Sequence, residues 1–192
     1  MSMDPYVYPD TNVLKNLRDL RDVDSLAAFE ASSTSWRIGQ LIRKPKPGKF
    51  DIPHLKNIYG YIFQDVYDWA GEFRTVNIAR PGQFFFAYIE QISFTLTSMT
   101  DSLRKEQFLS GFGLERFSQR AAFYMGELNA IHPFRDGNGR TQREFIRQLG
   151  RHSGFAINWS RVTREQMGDA SKRSFEKADN AGLAGLIQQS IQ

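Results

Sequence analysis

The chain contains no cysteine. Disulfides, thiolate nucleophiles and metal–thiolate centres are thereby excluded, and a reducing compartment suits it. No apolar run approaches the roughly 18 residues of a membrane span. Residues 1–10 carry proline and acid and hold no hydrophobic signal segment. The expected setting is therefore the cytoplasm, with no membrane partner. No internal repeat or low-complexity tract divides the chain, so one domain is expected over residues 1–192. Excess charge is also scarce: 25 Lys and Arg stand against 21 Asp and Glu, a net +4. That balance suits an anionic ligand but does not point to direct nucleic-acid binding.

What is present is an apolar fraction of 41% with 16 Phe, enough for a substantial packed core. Apolar positions recur at helical spacing over most of the length. The pattern predicts an arm over about 1–21, then helices near 22–42, 51–69, 89–108, 114–131, 139–152, 163–177 and 181–191. Asp51 is placed to cap the second helix and Gly71 to end it. Residues 43–50 hold two Pro, one Gly and four basic residues, which reads as an exposed loop. Val76 and Ile78 alternate with polar neighbours ahead of Pro81-Gly82 and Phe84-Phe85-Phe86. Residues 73–86 therefore read as a short β-hairpin in a mostly α fold.

The chemistry concentrates in Ile131 to Arg143, IHPFRDGNGRTQR. An apolar helix ends there, and a loop holding Gly137 and Gly139 leads straight into another helix. A glycine-rich turn at a helix N-terminus offers unpaired backbone N–H groups and positive dipole, a site for phosphate. Arg140 and Arg143, three apart, share a helix face and can aim at one polyphosphate, with Arg147 one turn further. Asp136 supplies a hard oxygen suited to Mg²⁺ held jointly with phosphate. His132, four residues before it, is the side chain there able to take a proton near neutral pH. Phe134 should point inward and anchor the loop. An isolated Gly-x-Gly, or a lone His beside Pro, reads as an ordinary interhelix turn. Here His, Asp, Asn, two Gly and two Arg crowd twelve positions, and each has a task in one nucleotidyl-transfer site. His54 and His152 sit near helix ends and read as structural or solvated.

These residues resemble the signature of the Fic family, H-x-F-x-[DE]-G-N-G-R-x-x-R, with every fixed position filled from His132 to Arg143. Asp68-Trp69-Ala70-Gly71 with Arg74 is similar to the lead into that family's flap hairpin, and Ala87-Tyr88-Ile89-Glu90 to its exit. Asp4-Pro5-Tyr6-Val7-Tyr8-Pro9 is similar to the start of short bacterial Fic toxins and of Fic domains in type IV secretion effectors. The likeness covers most of the chain and is thinnest at 43–50.

The resemblance implies a Fic fold, a helical bundle with a flap over the active-site loop 132–140. It implies transfer of AMP from ATP, with Mg²⁺, to a Tyr, Thr or Ser hydroxyl of a target protein. His132 would be the general base and Asp136 would hold Mg²⁺. Asn138 would position the α-phosphate, with the Gly137 and Gly139 backbone as anion cradle. Arg140 would meet the β-phosphate and Arg143 the γ-phosphate. The flap would bind the target by strand addition. Asn77 and Ile78, with residues near Asp179-Asn180, are candidates for flap or adenine contacts. Transfer of phosphate or phosphocholine on the same fold is the alternative chemistry. De-AMPylation and a non-catalytic ATP-binding module are further options; the intact His132 stands against the latter.

Many members are inhibited by a helix with the pattern [ST]-x-x-x-E-[GN], whose Glu pairs with the second motif arginine, here Arg143. Ser102 to Glu106 comes near the pattern, and Gln107 breaks it. The expectation is a toxin restrained by a separate antitoxin-like protein that supplies a Glu to Arg143. Targets of toxin-like members are ATPase subunits of type II topoisomerases. Effector members are translocated into a host cell and modify small GTPases instead.

Overall fold

Asp22 accepts the amide of Ser25 at 2.8 Å and so starts the first helix, α1 (Val23–Arg43). The computed structural model of the chain describes residues 4–79 and 85–191. Asp51 caps α2 (Ile52–Phe63) through the amide of His54 at 3.0 Å, with proline in the first turn. Then come α3 (Ile89–Lys105), α4 (Leu114–Ile131) and α5 (Asn138–His152). The last two are α6 (Arg164–Lys177), which opens on a reciprocal Thr163/Gln166 capping box, and α7 (Ala181–Ser190).

The fold is mostly α, as expected. α4 is its central post: Phe117, Ala121, Ala122, Tyr124, Met125 and Leu128 are buried, and the helix packs on α3, α5, α6 and α7. α5 is polar in composition yet largely buried. Its polar side chains are therefore bonded inside. Gln142 donates to the Leu128 carbonyl at 3.2 Å and Gln148 to Glu144 at 2.7 Å. α4 ends and α5 begins at the motif loop, so the two most buried helices fix its ends.

Two helices stop earlier than their periodicity predicts. α2 ends at Phe63, not near Trp69. Asp65 is drawn to Arg37 of α1 at 2.6 Å, and the Val66 carbonyl accepts the amide of Leu17 in the arm at 2.9 Å. The Val66 carbonyl is a group that another helical turn would need. α3 ends at Lys105, and Gln107 to Leu109 turn left-handed, with φ of 53°, 53° and 60°. Glu106 there bonds Arg120 and Tyr124 of α4, which pins the exit of α3 to its neighbour.

The arm is tied down at several points. Val7 bridges Leu14, and the Tyr6 ring meets Trp69 edge-on at 5.1 Å. The Tyr6 hydroxyl accepts the Thr75 amide at 3.1 Å, and Asp4 pairs with Arg135 of the motif loop at 2.7 Å. Within the hairpin segment, Ala79 bridges Phe85 and the Phe86 amide donates to the Ile78 carbonyl at 3.2 Å. The Pro81-Gly82 turn and Phe84 lie outside the described residues.

His54 is buried and structural. The Phe50 amide donates to Nδ1 at 3.2 Å, so Nε2 carries the proton and faces the Lys46 carbonyl and the Gln148 side-chain oxygen. Burial is the main force that lowers its pKa. The unfolded chain takes this proton near pH 6.5 while the folded chain resists it. Stability from this residue is whole above about pH 6.5 and falls as pH drops below it. The expected result is a Tm that declines between pH 7.5 and 5.5, and a shallower decline in His54→Gln; thermal melts across that range check it.

Candidate active site

His132 caps the C-terminus of α4 in the left-handed region, φ 49° and ψ 60°. That backbone turns its side chain out of the helix. The Asn129 carbonyl lies 3.2 Å from Nδ1. A carbonyl only accepts, so Nδ1 bears the proton and the neutral ring has its lone pair on Nε2. Phe86 lies flat on the imidazole, with centroids 3.9 Å apart and planes 16° apart. Phe86 thus fixes the ring plane, and Phe175 of α6 backs Phe86 at 5.0 Å.

Arg74 ties the flap to this loop. It is buried, and its amide donates to the Pro133 carbonyl at 2.9 Å. Its guanidinium donates to the carbonyls of His132 and Val76, each at 2.8 Å, and also to Ala87 and Ile131. Both roots of the flap are thereby tied to the backbone that carries the histidine. Burial lowers its pKa, and four guanidinium hydrogen bonds to carbonyls compensate the buried charge.

Phe134 is buried as expected and stacks on Tyr59 at 3.8 Å. Asn138 closes the loop from within. Its side chain accepts the Phe134 amide at 3.0 Å and donates to the Phe134 carbonyl at 2.8 Å. The Asn138 side chain is therefore spent on the loop, and its backbone is what faces an anion. Gly137 is left-handed at φ 76°, and its amide donates to Asp136 Oδ1 at 2.6 Å. Among the described residues the amides of Asn138 and Gly139, at the N-terminus of α5, have no protein acceptor. They are open to an anion, whereas the Gly137 amide, expected to share that role, is taken by Asp136.

Arg140 and Arg143 follow on one face. Arg140 donates to Glu30 at 2.6 Å and to the Thr34 hydroxyl at 3.2 Å, both on α1, and lies 4.7 Å over the Phe63 ring. Arg143 has no acidic partner among the described residues. Burial lowers its pKa and the neighbouring Arg140 adds to that. A half-buried, acid-free guanidinium favours an anion brought in from outside. Arg147 does not extend the stripe: it turns to Glu144 at 2.7 Å and to the Leu41 carbonyl at 3.0 Å, bracing α5 on α1.

These groups line one cavity of about 810 Å³. Its walls include Glu30 of α1, His132, residues 136–140 and Arg143 of the motif, Trp159, and residues of the first turns of α6. Neither Asn77 and Ile78 nor Asp179 and Asn180 line it. Asn77 accepts the Ile89 amide at 2.9 Å at the start of α3, and Asp179 and Asn180 lead into α7. Trp159, Met167 and Gly168 also line the cavity.

No group of three or more His, Asp or Glu suited to a metal occurs among the described residues. Asp136 is a lone carboxylate whose Oδ1 is bonded by Gly137 and which faces the anion cradle. That fits Mg²⁺, which takes one or two carboxylates, waters and substrate phosphates instead of an all-protein cage. Among the described residues no helix is long and apolar enough to cross a membrane.

The sequence pattern does not single out Glu30, Thr34, Arg74, Phe86 or Asn129 for this site. Thr34 leaves one trace: it is a buried polar residue on the same face of α1 as Leu26 and Leu41. Glu30, Arg74 and Phe86 have partners far away in the chain, and Asn129 meets His132 three residues on.

Residues 49–149 match the model of the Fic/DOC family. The chain is 46% identical over 190 residues to the protein adenylyltransferase VbhT of Bartonella schoenbuchensis, covering 99% of this chain and 39% of that one. It is 34% identical over 195 residues to the probable protein adenylyltransferase Fic of Salmonella typhimurium, covering 98% of this chain and 92% of that one. The chain thus spans about two fifths of the first relative and nearly all of the second. Its structure matches that of the VirB-translocated effector BepC of Bartonella tribocorum with bound AMPPNP. There the TM-score is 0.91 at 25% identity, covering 97% of this chain and 96% of that one.

Proposed function

The chain belongs to the Fic/DOC family, and on that premise we propose that it is a protein adenylyltransferase, with residues 1–192 acting as one Fic domain. It moves AMP from ATP to a hydroxyl of a target protein. The observation that carries this is the shared cavity: a tautomer-fixed imidazole, the Asp136 carboxylate, two open amides and two arginines converge on it. The relatives named protein adenylyltransferase, and the AMPPNP bound to BepC, support ATP as the donor.

Each residue then has one task. His132 Nε2 takes the proton from the target hydroxyl as its oxygen attacks the α-phosphorus. The bond to the bridging oxygen breaks, and pyrophosphate leaves with the negative charge. The amides of Asn138 and Gly139 steady the transferred phosphate, while Arg140 and Arg143 hold the leaving β- and γ-phosphates. Asp136 is the residue that would hold Mg²⁺, which neutralises charge on the phosphates when bound. Asn138 acts through the loop that it closes. The flap lays an extended target segment along its edge, near His132.

Arg143, without an acid of its own, is the residue that an antitoxin-like partner would cover with a Glu. ATPase subunits of type II topoisomerases are the target class proposed for such a toxin. The likeness to a VirB-translocated effector favours a second reading, translocation into a host cell and modification of small GTPases.

Mass spectrometry of a modified target tests the reaction: added AMP supports the proposal, and an added phosphate or phosphocholine contradicts it. Asp136→Asn should lower kcat by at least about 100-fold at saturating ATP, since the charge stabilisation supplied by the metal is lost. A chelator should do the same to the wild type. Transfer that is indifferent to both would remove Mg²⁺ from the account.

A further inference from the structure

Glu30 is an acid inside a cavity otherwise built for an anion. Left alone beside a polyphosphate, it would repel the substrate. It is not left alone. One carboxylate oxygen takes Arg140 at 2.6 Å and the other takes the Tyr67 hydroxyl. The side chain is 12% exposed, so few water molecules share the work. Thr34, one turn on, donates to the Glu30 carbonyl at 2.7 Å and offers its lone pair to Arg140 at 3.2 Å. Phe63 closes the underside of the guanidinium at 4.7 Å. Tyr67 is itself held in the aromatic stack with Trp69, with centroids 4.2 Å apart.

Arg140 is thus fixed from one side by α1 and from below by α2. A guanidinium carries five N–H groups. Two are spent on Glu30 and Thr34, and the others remain for the cavity that Arg140 and Glu30 line. A long flexible side chain ordered in advance loses less freedom when it takes up a phosphate.

We infer that Glu30, aided by Thr34 and Tyr67, is a positioning residue that holds Arg140 ready for the β-phosphate of the nucleotide. It acts through Arg140 and not on the reacting atoms. The inference rests on the proposed contact between Arg140 and the β-phosphate. The opposite role is physically conceivable: Glu30 could occupy Arg140 and compete with the phosphate. The two roles predict opposite signs.

The test is calorimetric titration of ATP, ADP and AMP, each with Mg²⁺, into the wild type, Glu30→Gln, Tyr67→Phe, Arg140→Ala and the Glu30→Gln/Arg140→Ala double variant. Glu30→Gln keeps the shape and removes the charge. It should weaken ATP and ADP by about tenfold and leave AMP, which lacks a β-phosphate, within about twofold. Tyr67→Phe should show the same pattern at roughly threefold, and serves if the Glu30 variant folds poorly. The double variant should bind ATP no worse than Arg140→Ala. Tighter ATP binding by Glu30→Gln would overturn the inference in favour of competition. Equal loss of all three nucleotides, or a further loss in the double variant, would reduce Glu30 to a structural residue. If Arg140→Ala binds ATP as the wild type does, the β-phosphate contact itself fails, and the inference with it.

Discussion

Replacing His132 with Ala lowers the rate of transfer by about 10²–10⁴-fold and leaves ATP binding nearly unchanged. The expectation follows from where the ring sits. Its Nδ1 proton is committed to the Asn129 carbonyl at 3.2 Å, and its face is covered by Phe86 at 3.9 Å. The ring is thereby presented with the basic nitrogen in a set direction, which is what a proton acceptor for a weakly acidic hydroxyl requires. The proposed phosphate-binding groups belong to the loop and α5, so binding should survive the loss of the imidazole. His132 has φ 49°, a conformation that Ala adopts poorly, so His132→Asn is the cleaner partner variant. It tolerates the left-handed backbone yet supplies no base. Both variants should keep KM for ATP within a few-fold while kcat collapses. A variant with full kcat would remove the general-base role.

Gly137→Ala should destabilise the fold by about 3 kcal/mol or more, lowering Tm by roughly 10 °C. Two effects add. The residue has φ 76°, which costs a side-chain-bearing residue roughly 1–2 kcal/mol. A methyl there would also lie 2.0 Å from the tip of the Phe63 ring, and that ring is buried and locked against Tyr59 and Tyr67. It cannot swing away without disturbing the aromatic stack that also supports Arg140. Denaturant unfolding of the variant measures the loss. A cost under about 1 kcal/mol would mean that the loop yields, and that its shape is less fixed than its hydrogen bonds imply.

Much of this architecture is legible in the sequence because its signals are local. The boundaries of α4, α5 and α6 follow from caps, glycines and periodicity within a few residues of each end. The motif loop is likewise a contiguous string, so residue order alone locates its anchor, carboxylate, cradle and arginines. The illegible parts depend on distant partners. α2 reads as longer than it is because Val66 and Asp65 keep helical spacing while bonding Leu17 and Arg37. Arg147 shares the spacing of Arg140 and Arg143, yet α1 offers it the Leu41 carbonyl and Glu144 is one turn away. Asn138 shows the same limit within the motif: its type fits a phosphate contact, but the Phe134 backbone, four residues back, claims both ends of its amide. Glu30 stands 110 positions from the arginine that it holds, beyond the reach of any periodicity.

The central claim is that this cavity activates the α-phosphate of ATP and delivers AMP to a protein hydroxyl. The direct measurement is incubation of the protein with a cell lysate, Mg²⁺ and ATP radiolabelled at either the α- or the γ-phosphate, followed by electrophoresis. The expected result is a discrete protein labelled by α-labelled ATP, unlabelled by γ-labelled ATP, and unlabelled by either with His132→Ala. Label arriving from the γ-position, or equal labelling by the His132→Ala variant, would contradict it.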